Sequence, residues 1–405
     1  MKDRGCTDFT VTYDGVDIYI EIKSTDYEER INQYLQWLKW TRHHVYEIMH
    51  GTEKVACIAK NGICRIYEPE LMPYNLYLEQ GPEEDIDIRV QNLENFYYWC
   101  ASRVLTLDRE YAKEILNSIG VTQATTDKER AEVALSYHCL SLMDIYWTKR
   151  VDEPLEFSKI NLYENHFGNA FIDVSLRGRQ MTIENAHLMA DSLGTKGCFP
   201  KAWIRDENHF FLLKDGGTEA VNNELLASRI CRCFKVNQVL YEEGVFDHQK
   251  VSCSKIITSP EYGIVPMEYL TIYLQNQGLN AKAYVLQLDA YNYYMMNIVD
   301  YLLGNTDRHW GNWGVLVDNT TNRPVRLYDL MDFNKAFGSF DTIEGANCLT
   351  GKFMEGKKQT QKEAALEAVE KIGLNQVEEV CGEWFEDKNI REMFFERLKV
   401  LKGVQ

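Results

Sequence analysis

Nowhere does the chain hold the roughly 18 consecutive apolar residues that a membrane-crossing helix needs. Its opening stretch, MKDRGCTDFTVTYDG, has no apolar run of the kind found in secretory signals. A soluble, cytoplasmic protein with no membrane partner is expected. Dense Lys/Arg runs are missing as well, and the net charge is −17. A nucleic-acid backbone repels such a chain, so direct nucleic-acid binding is not expected. Paired CxxC sets are also absent, and among eleven cysteines the only close pair is Cys231 and Cys233. That argues against the usual zinc spacings and for reduced, mostly buried thiols.

What is present is enough to fold. Of 405 residues, 45% are hydrophobic and 12% aromatic, which suits a sizeable core and two or three domains. In residues 1–130, Thr10 to Ile22 alternates around Asp14-Gly15, and Val55 to Ile66 turns at Asn61-Gly62; both read as hairpins. Glu28 to His50 has apolar residues at helical spacing and reads as one long helix stopped by Gly51. Leu93 to Leu105 and Arg109 to Ile119 read as further helices, with Trp37, Trp40 and Trp99 as core. No catalytic constellation occurs there, so this region is expected to be an accessory or regulatory domain. Lys128 to Leu142 should be helical, and Asp144 a buried or capping carboxylate.

Residues 131–270 supply what a nucleotide site requires. Ser192 to Lys201 holds Gly194 and Gly197 and runs into the strand Ala202 to Arg205; a turn at Asp206 to Asn208 and a strand Phe210 to Lys214 follow. Glycines let backbone N–H groups approach phosphate oxygens, and a lysine closing such a strand reaches the α/β-phosphates. Glu224 on a helix from Glu219 to Cys231 is placed to hold Lys214 through an ion pair. Val265 to Leu270 reads as an edge strand and hinge, where the backbone of Met267, Glu268 and Tyr269 would meet an adenine edge.

Residues 271–405 should be mainly helical, with helices at Tyr291 to Leu303, Gln359 to Lys371, Gln376 to Phe385 and Asn389 to Leu401. The first of these feeds Gly304-Asn-Thr-Asp-Arg-His-Trp-Gly-Asn312. Asp307 and Asn312 stand at the spacing of a kinase catalytic loop, where the Asp takes the acceptor's hydroxyl proton and the Asn holds a metal ion. A strand from Trp313 to Val317, a turn at Asn319 to Pro324 and a strand from Val325 to Tyr328 would then bring a second acid back beside Asn312. Asp332, opening Asp-Phe-Asn, is preferred for the metal over Asp329.

These segments resemble the HipA-type serine/threonine kinases, toxins of bacterial toxin–antitoxin pairs, whose loop logic the phosphatidylinositol kinases share. The resemblance covers roughly residues 135 to 400. It implies an α+β, two-lobed protein-kinase-like fold: an accessory domain over 1–130, a linker and N-lobe over 131–270, and a helical C-lobe over 271–405. It implies ATP and Mg²⁺ as cofactors and a protein Ser or Thr hydroxyl as acceptor; residues 1–130 do not resemble the family's usual N-terminal subdomain, so an antitoxin-like partner is a candidate that the resemblance does not carry over. Carried across, Asp307 is the catalytic Asp that takes the hydroxyl proton, His309 orders the loop, Asn312 and Asp332 hold the metal, and Lys214 holds phosphate. Ser192 is then a candidate self-phosphorylation site. Transfer of AMP, a lipid or small-molecule acceptor, and an inactive binding protein on the same fold are the alternatives.

Overall fold

The computed structural model describes residues 7–13, 16–22, 45–104, 126–165, 200–206, 209–338, 340–351, 356 and 358–403. The fold is α+β, with every strand pairing between described elements antiparallel. The hairpin at Asp14-Gly15 is formed by β1 (Thr7–Tyr13) and β2 (Val16–Ile22). The expected helix over Glu28 to His50 is corrected at its C-terminal end, because Val45–His50 is strand β3. It pairs with β4 (Glu53–Ala59) on one side and β6 (Tyr146–Arg150) on the other, and β5 (Cys64–Ile66) completes the sheet in the order β5-β4-β3-β6. Ile48, Met49 and His50 are all buried, so both faces of β3 are covered and the alternation that marks a half-exposed strand is lost.

Two helices pack with this sheet. α1 (Ile86–Ala101) begins earlier than expected, where the Asp85 carboxylate accepts from the Ile88 N–H. α2 (Asp127–Ser136) opens on a capping box between Thr126 and Glu129. Trp99 joins Ile48, Ile58, Phe96, Tyr137 and Trp147 in one core, as expected of it, whereas Trp37 and Trp40 lie outside the described residues. Because β6 follows residue 130, this sheet draws strands from both sides of the division expected there. The helix expected at Arg109 to Ile119 lies outside the described residues.

The second sheet, ordered β7-β8-β10-β9, consists of β7 (Lys201–Asp206), β8 (His209–Lys214), β9 (Tyr241–Phe246) and β10 (Gln249–Lys255). Helix α3 (Gly217–Cys231) packs beside it, burying Val221, Glu224, Ala227, Ile230 and Cys231. The third sheet is β11 (Tyr262–Pro266), β12 (Gly314–Asp318) and β13 (Arg323–Leu327).

Around the third sheet lie α4 (Met267–Asn276), α5 (Ala281–Leu303), α6 (Gln361–Ile372) and α7 (Lys388–Lys402). Their shared core includes Leu270, Val299, Leu302, Val315, Ala365 and Phe394. Gln376 to Phe385 is not the helix expected, being irregular apart from a 3₁₀ turn at Gly382–Trp384. α5 is interrupted at Asp289, whose carboxylate accepts from Asn292 N–H and from the Leu327 N–H of β13. It ends at Gly304, in the left-handed region at φ +57°; a Cβ there would stand 2.3 Å from the Phe340 ring. That stop delivers the chain directly into the Asp307 loop.

Candidate active site

The first half of the site is built by sheet register. In β7, β8 and β10, Lys201, Lys214 and Ser252 stand directly opposite one another, so their side chains share a face. Lys214 Nζ donates to Glu224 Oε1 at 2.8 Å and to Asp332 Oδ1 at 3.1 Å. It also lies 3.4 Å from the Tyr241 hydroxyl. Glu224 is 1% exposed and accepts from Ser252 Oγ with its other oxygen. A buried charge survives only with partners, and here each charge has one. Burial works against the Lys214 ammonium, but Asp332 and Glu224 overcome it and raise its pKa well above the usual lysine value. Burial likewise opposes the Asp332 carboxylate, yet Lys214 and then Lys201 hold it well below the usual carboxylate range.

The second half is the loop after α5. Asp307 Oδ1 accepts from Lys335 Nζ at 3.0 Å. Asn312 Nδ2 donates to the Asp307 carbonyl, closing the loop on itself. His309 Nδ1 accepts from the Gly311 N–H at 3.0 Å, so the ring orders the turn from an exposed position. Asn305 fixes the approach: its Oδ1 accepts from the Asp307 N–H at 3.2 Å, and its Nδ2 donates to Asp300.

Arg308 joins the halves. It is 2% exposed, and its Nε and Nη2 donate to the two oxygens of Asp300 at 2.9 and 3.0 Å. Its Nη1 donates to the Asn312 carbonyl at 3.1 Å and to the Met331 carbonyl at 2.8 Å. One guanidinium therefore fixes the loop that ends at Asn312 against the residue before Asp332. The hairpin β12–β13 supplies the return path, as expected from its turn residues. Asp329, the rival acid, pairs instead with Arg326 at 2.7 Å.

Whether these groups fit a divalent cation is tested by their donor atoms. Asn312 Oδ1 is buried without a hydrogen-bond partner, a costly state for an amide oxygen unless a ligand is to arrive. Among the described residues, no group of three or more His, Cys, Asp or Glu side chains forms a metal cage. One amide oxygen and one carboxylate, completed by phosphate oxygens, is a donor set that suits Mg²⁺.

The hinge residues do not take the expected form. Met267 opens helix α4, its N–H donating to the Trp313 carbonyl at 3.0 Å, and the Glu268 N–H donates to the Trp310 carbonyl at 3.3 Å. Both donors are therefore committed within the fold and do not face an adenine. Tyr269 lines a cavity with Arg103, Asp144 and Asn322 that none of Lys214, Glu224, Asp307, Asn312 or Asp332 lines. Asp144 there is paired with the buried Arg103 at 2.7 Å, as a structural carboxylate should be. Gly194, Gly197 and Ser192 lie outside the described residues. Lys201, Tyr241, Arg308 and Lys335 were not singled out from sequence. Arg308 stands inside the motif itself, but the other three are found only through strand register and loop geometry.

No family model matches the chain, and no curated protein matches it. Among solved structures, it is similar to the Helicobacter pylori proinflammatory kinase CtkA, with 16% identity and a TM-score of 0.35 over 50% of this chain and 90% of that one. It is also similar to HipA in the Shewanella oneidensis MR-1 toxin–antitoxin complex of HipA, HipB and operator DNA, with 11% identity and a TM-score of 0.45 over 89% of this chain and 96% of that one. Both likenesses are slight, and the chemistry is argued from the residues above.

Proposed function

We propose that this chain transfers the γ-phosphoryl group of ATP to a Ser or Thr hydroxyl of a protein. The observation that carries the reading is Lys214 clasped between Glu224 and Asp332, with Arg308 tying Asp332's turn to the Asp307–Asn312 loop. Lys214 binds the nucleotide phosphates, Glu224 keeps it aimed, and Asp307 orients the hydroxyl and takes its proton. Asn312 and Asp332 hold Mg²⁺, which when bound neutralises charge on the phosphate oxygens. Gly194 and Gly197 belong to the same proposal as the phosphate-covering loop. Asp332, facing Lys214, is preferred over Asp329 as metal ligand. An antitoxin-like partner is part of the reading too, and co-purification from the native host tests it. No described helix is long and apolar enough to cross a membrane, which agrees with a protein acceptor but does not choose it.

The decisive experiment incubates the purified chain with ATP labelled on the γ-phosphate, Mg²⁺ and a lysate, and weighs whatever becomes modified. Phosphate on Ser or Thr is the expected result, lost in Asp307→Ala with the fold intact. Labelling of normal strength by that variant, or an AMP-sized mass increase, would overturn the assignment.

A further inference from the structure

We infer that Tyr241 is a positioning residue for Asp332: its hydroxyl takes the Asp332 backbone N–H and so keeps the carboxylate turned toward the place where metal and nucleotide would meet. The inference rests on the phosphoryl-transfer reading above.

The case begins with the peptide unit between Met331 and Asp332. Its carbonyl accepts from Arg308 Nη1 at 2.8 Å, and its N–H donates to the Tyr241 hydroxyl at 3.1 Å. Arg308 belongs to the loop after α5, and Tyr241 opens β9, in the sheet that carries Lys214. One peptide plane is thus held at both ends, from both halves of the site. The residue before it is tied down as well. The Leu330 N–H donates to the Asn237 carbonyl at 2.9 Å, and the Leu330 carbonyl accepts from the Val239 N–H at 2.9 Å. That exchange lays the chain leading into Tyr241 alongside the chain leading into Asp332.

The turn has a reason to relax if the plane is released. Asp332 takes the left-handed backbone region, which is costly for a residue other than glycine. One hydrogen bond is worth about as much as that strain, so it can decide how the turn lies. Charge alone does not supply the direction. Lys214 and Lys201 both draw on the Asp332 carboxylate, but attraction between charges is only loosely directional. Lys214 is also to be shared with phosphate oxygens once a nucleotide binds. A bond to the backbone N–H is indifferent to that change.

Tyr241 is itself firmly placed. It is buried, and its own N–H donates at 3.1 Å to the hydroxyl of Ser228, which is buried on α3. Its ring meets that of Phe333 edge-on, with centres 6.3 Å apart, so ring and hydroxyl grip consecutive residues of the turn. Burial raises the phenol's pKa above its usual value, so the group stays neutral and moves no proton.

The test measures ATP affinity by calorimetry twice, with EDTA and with saturating Mg²⁺, and takes the ratio as the metal's contribution. Wild type should bind more tightly with Mg²⁺. Tyr241→Phe keeps the ring and loses only the hydroxyl. It should bind metal-free ATP as wild type does and lose about fivefold of the Mg²⁺ gain, the worth of one hydrogen bond. Its labelling of lysate protein from γ-labelled ATP should fall at limiting Mg²⁺ and recover at high Mg²⁺, which a folding defect would not do. An equal loss of metal-free binding would place the hydroxyl's role on Lys214, 3.4 Å away, and overturn the inference. If wild type labels protein and Tyr241→Phe keeps the full Mg²⁺ gain, Tyr241's role is overturned and the proposed function stands. If wild type binds no ATP, or gains nothing from Mg²⁺, both are overturned.

Discussion

The two halves of the site treat charge in opposite ways. On one side Lys214 and Glu224, 7% and 1% exposed, form a buried pair that the half-buried Asp332 closes into a clasp. On the other, Lys335 and Asp307 pair at 3.0 Å with side chains 49% and 21% exposed. The clasp depends on every member, because removing one strands a charge away from solvent. The open pair is screened by water and contributes little to stability.

Removing a member of the clasp should have the largest effect. Lys214→Met is expected to lose about 3–5 kcal/mol of stability, since Glu224 and Asp332 are left without their cation. Urea unfolding measures it, and a loss below about 1 kcal/mol would mean the clasp is no firmer than the open pair.

A buried titratable group lacking a counter-charge sharpens the same contrast. His50 is 4% exposed, its ring centre lies 4.5 Å from that of Tyr146 at a 44° tilt, and its Nε2 has no hydrogen-bond partner. Burial pushes its pKa down from 6.5 to about 4, although Asp144 pulls upward. The unfolded chain therefore takes up the proton first as pH falls. His50's contribution is whole above its unfolded pKa of 6.5 and is lost as pH drops toward about 4. The loss should approach roughly 3 kcal/mol, and His50→Phe should flatten this part of the stability–pH curve. Identical slopes for both proteins between neutral and mildly acid pH would contradict it.

Smaller effects are expected at Asn312. Asn312→Ala removes a buried oxygen with no partner as well as the hydrogen bond that Nδ2 donates to the Asp307 carbonyl, and these losses largely offset. Stability should change by about 1 kcal/mol or less. The rise in melting temperature given by Mg²⁺-ATP should disappear, while the metal-free nucleotide should bind as before. Smallest of all, Lys335→Met should leave stability within about 0.5 kcal/mol, as a half-exposed pair allows. A larger loss would erase the distinction between the two sides.

Local chemistry made much of this visible in the sequence. Asp14-Gly15 and Asn61-Gly62 announce hairpins, and the order of β7, turn and β8 places Lys214 at a strand end with Glu224 on the following helix. Interactions between distant segments were hidden. Val45–His50 is made a strand by β6, about a hundred residues later, and its apolar residues satisfy a helical period as well. Met267 to Tyr269 reads as extended because β11 runs into it, yet Pro266 stands immediately before helix α4, where its missing N–H costs nothing. Lys201 reaches the site through cross-strand register, and Arg308 through carbonyls on two loops. Neither relation leaves a pattern in spacing.

Asp332 sits at φ +64°, a twist that residues carrying a Cβ seldom adopt. Asparagine and glycine adopt it with least discomfort. Gly or Asn there would ease the turn but take away the carboxylate that Lys214 pairs with, so a library screened only for folding weighs the turn against the clasp. Persistence of Asp under a screen for phosphorylated product would show that chemistry, and not the shape of the turn, keeps the acid in place.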